Sequence, residues 1–419
     1  MTRNSNIRIM VLPSWYPPRG GEFFREHSLA LAAEGLDVTT MAVIQSSIRT
    51  HGLKNYITGK DIPKSAGNPT IAPGSFREAY KLYRTIPCVH KINIVGWIRN
   101  AVSLAGQWIR QHRKPDLIQV HSSIWAGVAA ARIKRRYGIP YVITEHRSRF
   151  VFNTPEAQEM FLPWHLPLLY EAFTNASRIV TVSDSLQPKI LDIAGSAIHH
   201  SPITIPNMVD TRFFNPAITA KSEGSFRFFS TSSSKTETPF RFFCLAHLEP
   251  VKGIDTLIGA MKLLIEDGSL NCQLVIGGDG SQRHILEEQV SRLGLQQHIS
   301  FTGALSREEV RDQLHRANAF VLPSRFEAFG VVFIEAMACG LPVIAGRSGG
   351  PESFITDDCG YIVEPDKPPE LARAMKSMIH NYHSFNRDTI WNYTINRFSP
   401  KAIAAEYITL YQEIIKSPL

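Results

Sequence analysis

Residues 324–345 read SRFEAFGVVFIEAMACGLPVIA and are the most informative stretch of the chain. They follow the apolar run AFVLP (319–323), which predicts a strand ending at Pro323. A short loop then carries Glu327, a helix begins near Gly330, and LPVIA predicts the next strand. Strand, helix and strand in this order form a parallel unit, whose ligand site lies at the carboxyl end of the first strand. The stretch therefore predicts an open α/β domain with a site at this loop.

The start of this predicted helix is suited to an anion. The first N–H groups of any helix lack intrahelical partners, here those of Gly330, Val331 and Val332, and the helix dipole favours negative charge beside them. Glu327 would face whatever is attached to the anion, and Glu335 follows about one and a half turns into the helix. A nucleotide diphosphate sugar fits this pattern. Ordinary surface carboxylates are the alternative, although apolar residues on both sides argue against it.

Alternating strands and helices are also predicted before and after this stretch. Near-continuous apolar strands separated by helices indicate parallel sheets covered on both faces. The predicted strands are NIRIMVL (6–12), LDVTTMAVI (36–44), DLIQV (116–120), PYVIT (140–144), RIVTVS (178–183), PITIP (202–206), RFFCLA (241–246), CQLVIGG (272–278) and HISFTG (298–303).

Two segments interrupt this rhythm. Residues 45–100 hold Gly, Pro and basic residues without a clear period, so we expect a loop-rich insertion, with a helix from Trp97 to Arg110 at its end. Residues 216–239 are dominated by Ser and Thr and predict a flexible loop near a domain boundary. We place that boundary near Asn207.

Composition is that of a globular protein. Of the 419 residues, 44% are hydrophobic and 20% charged, which excludes a disordered or collagen-like chain. The five cysteines are scattered without CxxC spacing, so neither a zinc site nor a disulfide framework is indicated, and a reducing compartment fits best. No apolar run approaches the roughly 18 residues of a membrane span. We therefore expect a cytoplasmic protein, with peripheral attachment to the inner face of the cytoplasmic membrane as an open alternative.

The net charge of +8 is concentrated in the first half. Residues 1–210 hold 24 Lys and Arg against 14 Asp and Glu, whereas residues 211–419 hold 21 against 23. Such a basic half favours an anionic partner, such as a lipid headgroup, a phosphate or nucleic acid. Nucleic acid is the weakest of these, because no zinc finger or basic helix-turn-helix is present and the basic residues are dispersed. A solubilising surface bias is the alternative.

Several motifs resemble, in the same order, those of the retaining glycosyltransferases of family 4. The strongest is the E-x7-E element formed by Glu327 and Glu335, followed by AMACGLPVIA (336–345). The other matching segments are PPRGGEFFREHSLALAAEGLDVT (17–39), DLIQVHSS (116–123), YVITEHRS (141–148), IPNMVDTRFF (205–214), HLEPVKGIDTLIGAM (247–261) and GGPESF (349–354). The resemblance covers the chain apart from residues 45–100 and 216–239.

The resemblance implies the GT-B fold, in which two doubly wound Rossmann-like domains face each other across a cleft. Residues 1–206 would bind the acceptor and residues 207–400 the donor. A C-terminal helix over 401–419 is expected to pack back on the first domain. The reaction implied is retaining transfer of a hexosyl group from a nucleotide diphosphate sugar, without a metal or other cofactor. The acceptor would be a glycan or a lipid-linked sugar, as in surface polysaccharide biosynthesis.

Roles for individual residues also follow from the resemblance. Glu327 would position the sugar hydroxyls, Glu335 would hold the ribose, and His146 would lie beside the transferred sugar. His121, at a similar strand end, is a weaker candidate, and a His121–His146 metal site has no supporting ligand spacing. The residues expected to bind the donor are Gly20, Gly21, His247, Lys252, Phe329, Gly330, Val331 and Glu335.

For three of these positions, the local sequence gives a physical argument of its own. A lysine just before a helix, such as Lys252, opposes the dipole unless it binds an anion, so a diphosphate partner is favoured. Gly20 and Gly21 lie between a strand and a helix, where glycine permits close approach to a ligand, although a plain turn is the alternative.

His247 departs from the family, which usually has arginine there. The ordinary pKa of histidine is about 6.5, and its ring cannot donate two parallel hydrogen bonds to a phosphate as arginine does. Donor binding would therefore be weaker, pH-dependent or rearranged. The alternative is a packed histidine with another arginine, such as Arg325, supplying the charge. The departure also keeps open a catalytically impaired protein that binds a nucleotide sugar or glycan. An NDP-sugar epimerase, another kind of GT-B enzyme, is a separate alternative.

Overall fold

The computed structural model describes residues 7–17, 20–47, 74–150, 161–216, 239–268 and 270–417. The chain forms two compact units. The first contains residues 1–206 and 400–419, and the second contains residues 207–399. The predicted loop over 216–239 falls almost entirely outside the described residues. None of the helices in the described part of the chain is long and apolar enough to cross a membrane.

The first unit is built on a parallel sheet of seven strands in the order β3-β2-β1-β4-β5-β6-β7. The chain runs outward from the centre to one edge and then to the other, which is the doubly wound arrangement. Its strands are β1 (Arg8–Pro13), β2 (Asp37–Ser46), β3 (Ser75–Arg84), β4 (Leu117–His121), β5 (Tyr141–Glu145), β6 (Arg178–Thr181) and β7 (Ile203–Thr204). Its helices are α1 (Glu22–Ala33), α2 (His90–Gln111), α3 (Val128–Tyr137), α4 (Leu166–Thr174) and α5 (Gln187–Ala194).

The expectation of a loop-rich segment up to residue 100 is wrong for its second half. Strand β3 pairs with β2 over ten residues, and α2 begins at His90 rather than Trp97. Strand β3 lies at the sheet edge and buries few of its side chains, among them Phe76 and Glu78. Its sequence is consequently mixed and polar, and the apolar alternation that identifies a strand is missing. Residues 48–73 lie outside the described part.

The last helix, α12 (Pro400–Lys416), packs on the first unit. Two of its tyrosines are buried against strands β4 and β5. The hydroxyl of Tyr407 lies 2.9 Å from Thr144 Oγ1, and the hydroxyl of Tyr411 donates to Gln119 Oε1 at 2.8 Å. These hydrogen bonds satisfy polar groups that would otherwise be costly to bury.

The second unit is a parallel sheet of six strands in the order β10-β9-β8-β11-β12-β13. The predicted α/β class with parallel sheets is thus confirmed in each unit. The strands are β8 (Phe240–Leu245), β9 (Cys272–Gly277), β10 (Ile299–Gly303), β11 (Ala319–Leu322), β12 (Val343–Gly346) and β13 (Gly360–Val363). The helices are α6 (Ile254–Glu266), α7 (Arg283–Arg292), α8 (Arg307–Arg316), α9 (Val331–Ala338), α10 (Pro368–His380) and α11 (Arg387–Phe398).

Candidate active site

A close ion pair joins two loops at the carboxyl edge of the second sheet. Lys252 Nζ lies 2.5 Å from Glu327 Oε1, and the hydroxyl of Ser324 donates to the same oxygen at 3.1 Å. The side chains of Lys252 and Glu327 are only 22% and 13% exposed. Because water covers little of this pair, salt screens it less than a surface pair.

The approach of the two loops depends on a glycine. Lys252 ends the short 3-10 turn after β8, and Gly253, with φ 66°, precedes α6. A Cβ atom at position 253 would lie 2.3 Å from the carbonyl oxygen of Pro323. Only glycine permits both this left-handed conformation and this contact. The Lys252–Gly253 dipeptide therefore sets the ammonium beside the loop that carries Glu327.

A second set of contacts fixes Glu327 from the other side. Its backbone N–H donates to the carbonyl of Ser348 at 2.9 Å. Glu327 and Gly349 also form an isolated parallel β-bridge. The N–H of Gly349 in turn donates to both carboxylate oxygens of Glu352 at 3.0 Å. The loops after β11 and β12 consequently hold each other, so Glu327 is held through its backbone as well as its carboxylate.

Helix α9 begins beside this loop, as predicted. Gly330 is its N-cap, with φ 92°, and no side chain among the described residues caps it. Its first N–H groups are thus available to an anion. Val331 and Glu335 are partly exposed. Phe329 is different: the residue is 2% exposed and its ring packs against Phe354 at 4.8 Å between centroids, so its expected direct contact with the donor is not seen in this arrangement.

His247 is exposed, so the alternative of a packed histidine at this position is wrong. The alternative source of charge, Arg325, is already engaged. Its guanidinium donates to Asp255 Oδ2 at 2.8 Å, to Asp366 Oδ1 at 2.7 Å and to the carbonyl of Pro250. Since two carboxylates match its charge, Arg325 does not replace the family's arginine in this arrangement.

The His247 segment is supported by GGDG (277–280), whose structural role the sequence reading missed. A Cβ atom at Gly278 would lie 1.9 Å from the carbonyl oxygen of Ala246, and one at Gly280 would lie 2.6 Å from that of Leu248. Both glycines are therefore needed for contact between the two loops. The hydroxyl of Ser281 also donates to Glu249 at 2.6 Å, which lowers the pKa of that carboxyl group.

Two histidines meet at the carboxyl edge of the first sheet. His121 ends β4 and His146 follows the neighbouring β5, and His121 Nδ1 lies 3.1 Å from His146 Nε2. His121 is 2% exposed. Burial, with smaller contributions from His27 and His146, holds its pKa well below the ordinary value. Among the described residues, no group of three or more His, Cys, Asp or Glu side chains is placed to hold a metal ion.

Glu145 is a supporting residue that the sequence reading did not single out. Its buried carboxylate accepts hydrogen bonds from the hydroxyls of Ser122 and Ser123 at 2.8 and 2.6 Å. It also accepts from the backbone N–H groups of His146 and Arg147, each at 3.0 Å. Five hydrogen bonds, including that from the Ser123 N–H, thus fix the loop that carries His146. A glutamate directly at the end of the apolar run YVIT is the pattern that could have revealed it.

The glycine-rich loop lies at this same edge. Gly20 and Gly21 have φ values of 74° and 88°, and α1 starts directly after them. A Cβ atom at Gly21 would lie 3.1 Å from Trp15. The guanidinium of Arg147 lies over the Trp15 ring, 4.4 Å from its centroid. The first helix also places Phe24 against His121, with ring centroids 4.5 Å apart. The fold thus gathers the predicted residues of the first unit at one edge.

His27 on α1 is a further buried histidine at this place. Its ring centroid lies 4.9 Å from that of His121 and 4.5 Å from that of Tyr407. Burial lowers its pKa to about 3, so the ring is neutral at physiological pH.

Two family models together match most of the chain. Residues 23–213 match Glycosyltransferase Family 4, and residues 225–394 match Glycosyl transferases group 1. The chain belongs to glycosyltransferase family 4. The Lys252–Glu327 pair and the His121–His146 pair each fall within a matched region.

Individual relatives of this glycosyltransferase cover nearly its whole length. It is 26% identical to the GDP-mannose-dependent alpha-(1-6)-phosphatidylinositol monomannoside mannosyltransferase of Mycolicibacterium smegmatis, over 88% of this chain and 89% of that protein. Its fold matches sucrose-phosphate synthase of Thermosynechococcus elongatus with a TM-score of 0.73, 20% identity and coverage of 98% and 100%. It also matches Anabaena HepE, solved with UDP-glucose, with a TM-score of 0.65, 18% identity and coverage of 97% and 99%. The predicted GT-B fold is confirmed.

Proposed function

We propose that this glycosyltransferase moves a hexosyl group from a nucleotide diphosphate sugar to a glycan or lipid-linked acceptor, with retention at the anomeric carbon and without a metal or other cofactor. The observation that carries the proposal is the Lys252–Glu327 pair beside the start of α9. At one sheet edge, an ammonium and a helix N-terminus can bind a diphosphate. A carboxylate beside them can bind the attached sugar.

The diphosphate binds to Lys252 and to the first N–H groups of α9. Phosphate oxygens compete with Glu327 for the Lys252 ammonium, and a charge-assisted hydrogen bond of this kind contributes about 1.5–3 kcal/mol. Once a phosphate shares the ammonium, the Glu327 carboxylate can accept hydrogen bonds from sugar hydroxyls. Glu335 lies about one and a half turns along the same helix, and its carboxylate accepts hydrogen bonds from the ribose hydroxyls. The names of the relatives include both GDP-mannose and UDP-glucose, so both bases belong in the test of this proposal.

Transfer breaks the bond between the anomeric carbon and the leaving phosphate oxygen. The acceptor oxygen attacks from the same face, and the leaving diphosphate takes the acceptor's proton. The protein's part is electrostatic: Lys252, His247 and the N–H groups of Gly330 and Val331 stabilise negative charge on the diphosphate. His247 is exposed, so its ring can donate a hydrogen bond to a phosphate oxygen.

His146 supports the transferred sugar through a hydrogen bond, the role that the family resemblance assigns to it. Its neighbour His121 is a positioning residue. Because His121 is buried and neutral, one of its two ring nitrogens carries a proton, and the 3.1 Å contact orients the His146 ring. Gly20 and Gly21 lie beside this histidine pair and complete the donor-contacting set in the first unit.

The acceptor is proposed to be carried by a lipid at the inner face of the cytoplasmic membrane, in surface polysaccharide biosynthesis. The excess of Lys and Arg in residues 1–210 supports attachment to an anionic surface. The phosphatidylinositol monomannoside in the name of the mycobacterial relative is a lipid-linked sugar, which is consistent with this class of acceptor.

A panel of UDP-, GDP-, ADP- and TDP-sugars tests the proposal. Wild-type protein is incubated with each donor in EDTA, with and without a lipid-linked acceptor extract, and the anomeric product is followed by NMR. Retained anomeric configuration in transfer or donor hydrolysis supports the proposal. Epimerised nucleotide sugar without acceptor would favour an epimerase, and nucleotide binding without any turnover would favour an impaired protein.

A further inference from the structure

Helices α2 and α3 line an open pocket of about 370 Å³ in the first unit. Its lining includes four arginines, Arg99, Arg110, Arg132 and Arg136, together with Tyr137 and Gly106. No acidic side chain lines it, and none of the four arginines has a carboxylate partner among the residues that the structure describes. Four unneutralised guanidinium groups around one cavity create a strongly positive site.

Glycine at position 106 makes room for the Tyr137 hydroxyl beside the pocket. A Cβ atom there would lie 2.5 Å from the Tyr137 hydroxyl and 3.7 Å from Arg110 Nη1. The Tyr137 hydroxyl is itself buried and has no hydrogen-bond partner within the described chain. The Arg136 guanidinium lies over the Tyr137 ring, 5.3 Å from its centroid. A buried donor beside cations that lack counter-charges is an incomplete arrangement that an anion would complete.

Basic residues in the last turn of a helix are often explained by the helix dipole. That accounts for Arg110 and Arg136, which end α2 and α3. It does not account for Arg99 and Arg132, which lie well inside the two helices and yet line the same cavity. Their convergence therefore calls for a ligand.

The pocket and the histidine pair lie toward opposite edges of the first sheet. Helix α2 leads from β3 to β4 and helix α3 leads from β4 to β5, so both run opposite to the strands. The last turns with Arg110 and Arg136 consequently lie toward the amino ends of the strands. His121 and His146 occupy the carboxyl edge.

We infer that this pocket is a second binding site, which takes a phosphorylated group. Guanidinium pairs bind phosphate oxygens in a bidentate manner, and a cavity of this size accommodates more than one phosphate. Two sources share this chemistry: the headgroup of an anionic lipid and a free phosphorylated compound. The pocket shares no residue with the proposed donor site.

Isothermal titration with inorganic pyrophosphate tests the inference. The double variant Arg110→Gln/Arg136→Gln is compared with Arg113→Gln/Arg135→Gln, which removes two nearby charges that do not line the pocket. We expect the pocket variant to bind at least about tenfold more weakly and the control to change less than about twofold. Tyr137→Phe should weaken binding about threefold or more while keeping the ring. Pyrophosphate bound at the donor site is common to both double variants, so their difference reports the pocket alone.

Flotation with phosphatidylglycerol and phosphatidylcholine vesicles separates the two sources. Loss of phosphatidylglycerol binding in the pocket variant alone, with competition by pyrophosphate, assigns the site to a lipid headgroup. A pyrophosphate effect without loss of vesicle binding assigns it to a free phosphorylated compound. Equal weakening in both double variants, or no pyrophosphate binding by the wild type, would overturn the inference. Donor hydrolysis, measured separately, tests the proposed function independently.

Discussion

Lys252 Nζ and Glu327 Oε1 lie 2.5 Å apart although 75 residues separate them in the chain. Each group is mostly buried, and each is held by its own loop at the carboxyl edge of one sheet. A pair of this kind keeps both charges in place before any ligand binds, because each compensates the desolvation of the other. A diphosphate that enters must compete with Glu327 for the ammonium, which links donor binding to the release of the carboxylate.

Replacing Lys252 with Gln should weaken nucleoside diphosphate binding by about tenfold or more, because one charge-assisted hydrogen bond to phosphate is lost. Isothermal titration with the nucleoside diphosphate that binds the wild type measures the effect. Lys262→Gln is the matched control, since Lys262 lies in the helix that follows Lys252 and pairs with Glu266 one turn further along it. Equal affinities of Lys252→Gln and wild type would contradict the assignment of Lys252.

Glu327→Gln keeps the shape of the side chain and removes its charge. We expect transfer and donor hydrolysis to fall on the order of 100-fold or more, because the carboxylate no longer binds the sugar hydroxyls as charge develops. Nucleoside diphosphate binding should be retained, since Lys252 is then no longer shared. The control is Glu364→Gln, which removes an exposed carboxylate paired with Arg347. Turnover of Glu327→Gln near that of wild type would show that the carboxylate has another role.

Glu335→Ala should reduce the thermal stabilisation that a nucleoside diphosphate produces. Stabilisation by a ligand follows its affinity, so a loss of the ribose contact lowers the shift at a given concentration. A panel of UDP, GDP, ADP, TDP and CMP against wild type and variant measures this and identifies the base. An unchanged shift in the variant would remove Glu335 from the donor site.

Gly253→Ala tests the close approach that sets Lys252. Gly294→Ala is its control, because Gly294 has φ 69° against 66° for Gly253, but a Cβ atom added there would meet nothing within 4 Å. Both variants should lose about 1–2 kcal/mol from the left-handed conformation. Only Gly253→Ala should lose more stability and reduce donor affinity, because its Cβ would meet the Pro323 carbonyl. Denaturant unfolding and titration measure both, and identical behaviour of the two variants would contradict the argument.

Acid should destabilise the first unit through His27. Burial lowers its folded-state pKa to about 3, whereas the ordinary value is 6.5. The unfolded chain therefore binds a proton that the folded chain does not. The resulting stability is complete above pH 6.5 and is lost as the pH falls from 6.5 toward 3, at about 1.4 kcal/mol per pH unit.

His27→Phe should reduce that slope, since a phenyl ring can occupy the contact with Tyr407 without titrating. Urea unfolding of the first unit between pH 7.5 and 5 measures the slope. The control His284→Gln changes an exposed histidine, 82% accessible, and should leave the slope unchanged. A slope in His27→Phe as steep as in wild type would assign the acid sensitivity to another group.

Most strands and helices could be predicted because each leaves a recognisable pattern in its own segment of sequence. Strands buried on both faces are apolar throughout, and helices such as α1 and α9 begin after glycines, so both are visible in the chain itself. Strand β3 could not be predicted, because an edge strand shows little apolar alternation. Its place depends on ten pairings with β2, which no local pattern records.

The sequence alone determined the order of motifs, the E-x7-E spacing and the glycine-rich segments. These features sufficed to predict the fold class and the residues proposed for donor binding and transfer. Tertiary structure alone joined Lys252 to Glu327 and His121 to His146, buried the ring of Phe329, and engaged Arg325 with two carboxylates. The physical reason is that such contacts depend on which strands become neighbours and how closely their loops pack. Strand order and backbone clearance are properties of the packed sheet, whereas periodicity is a property of each segment by itself.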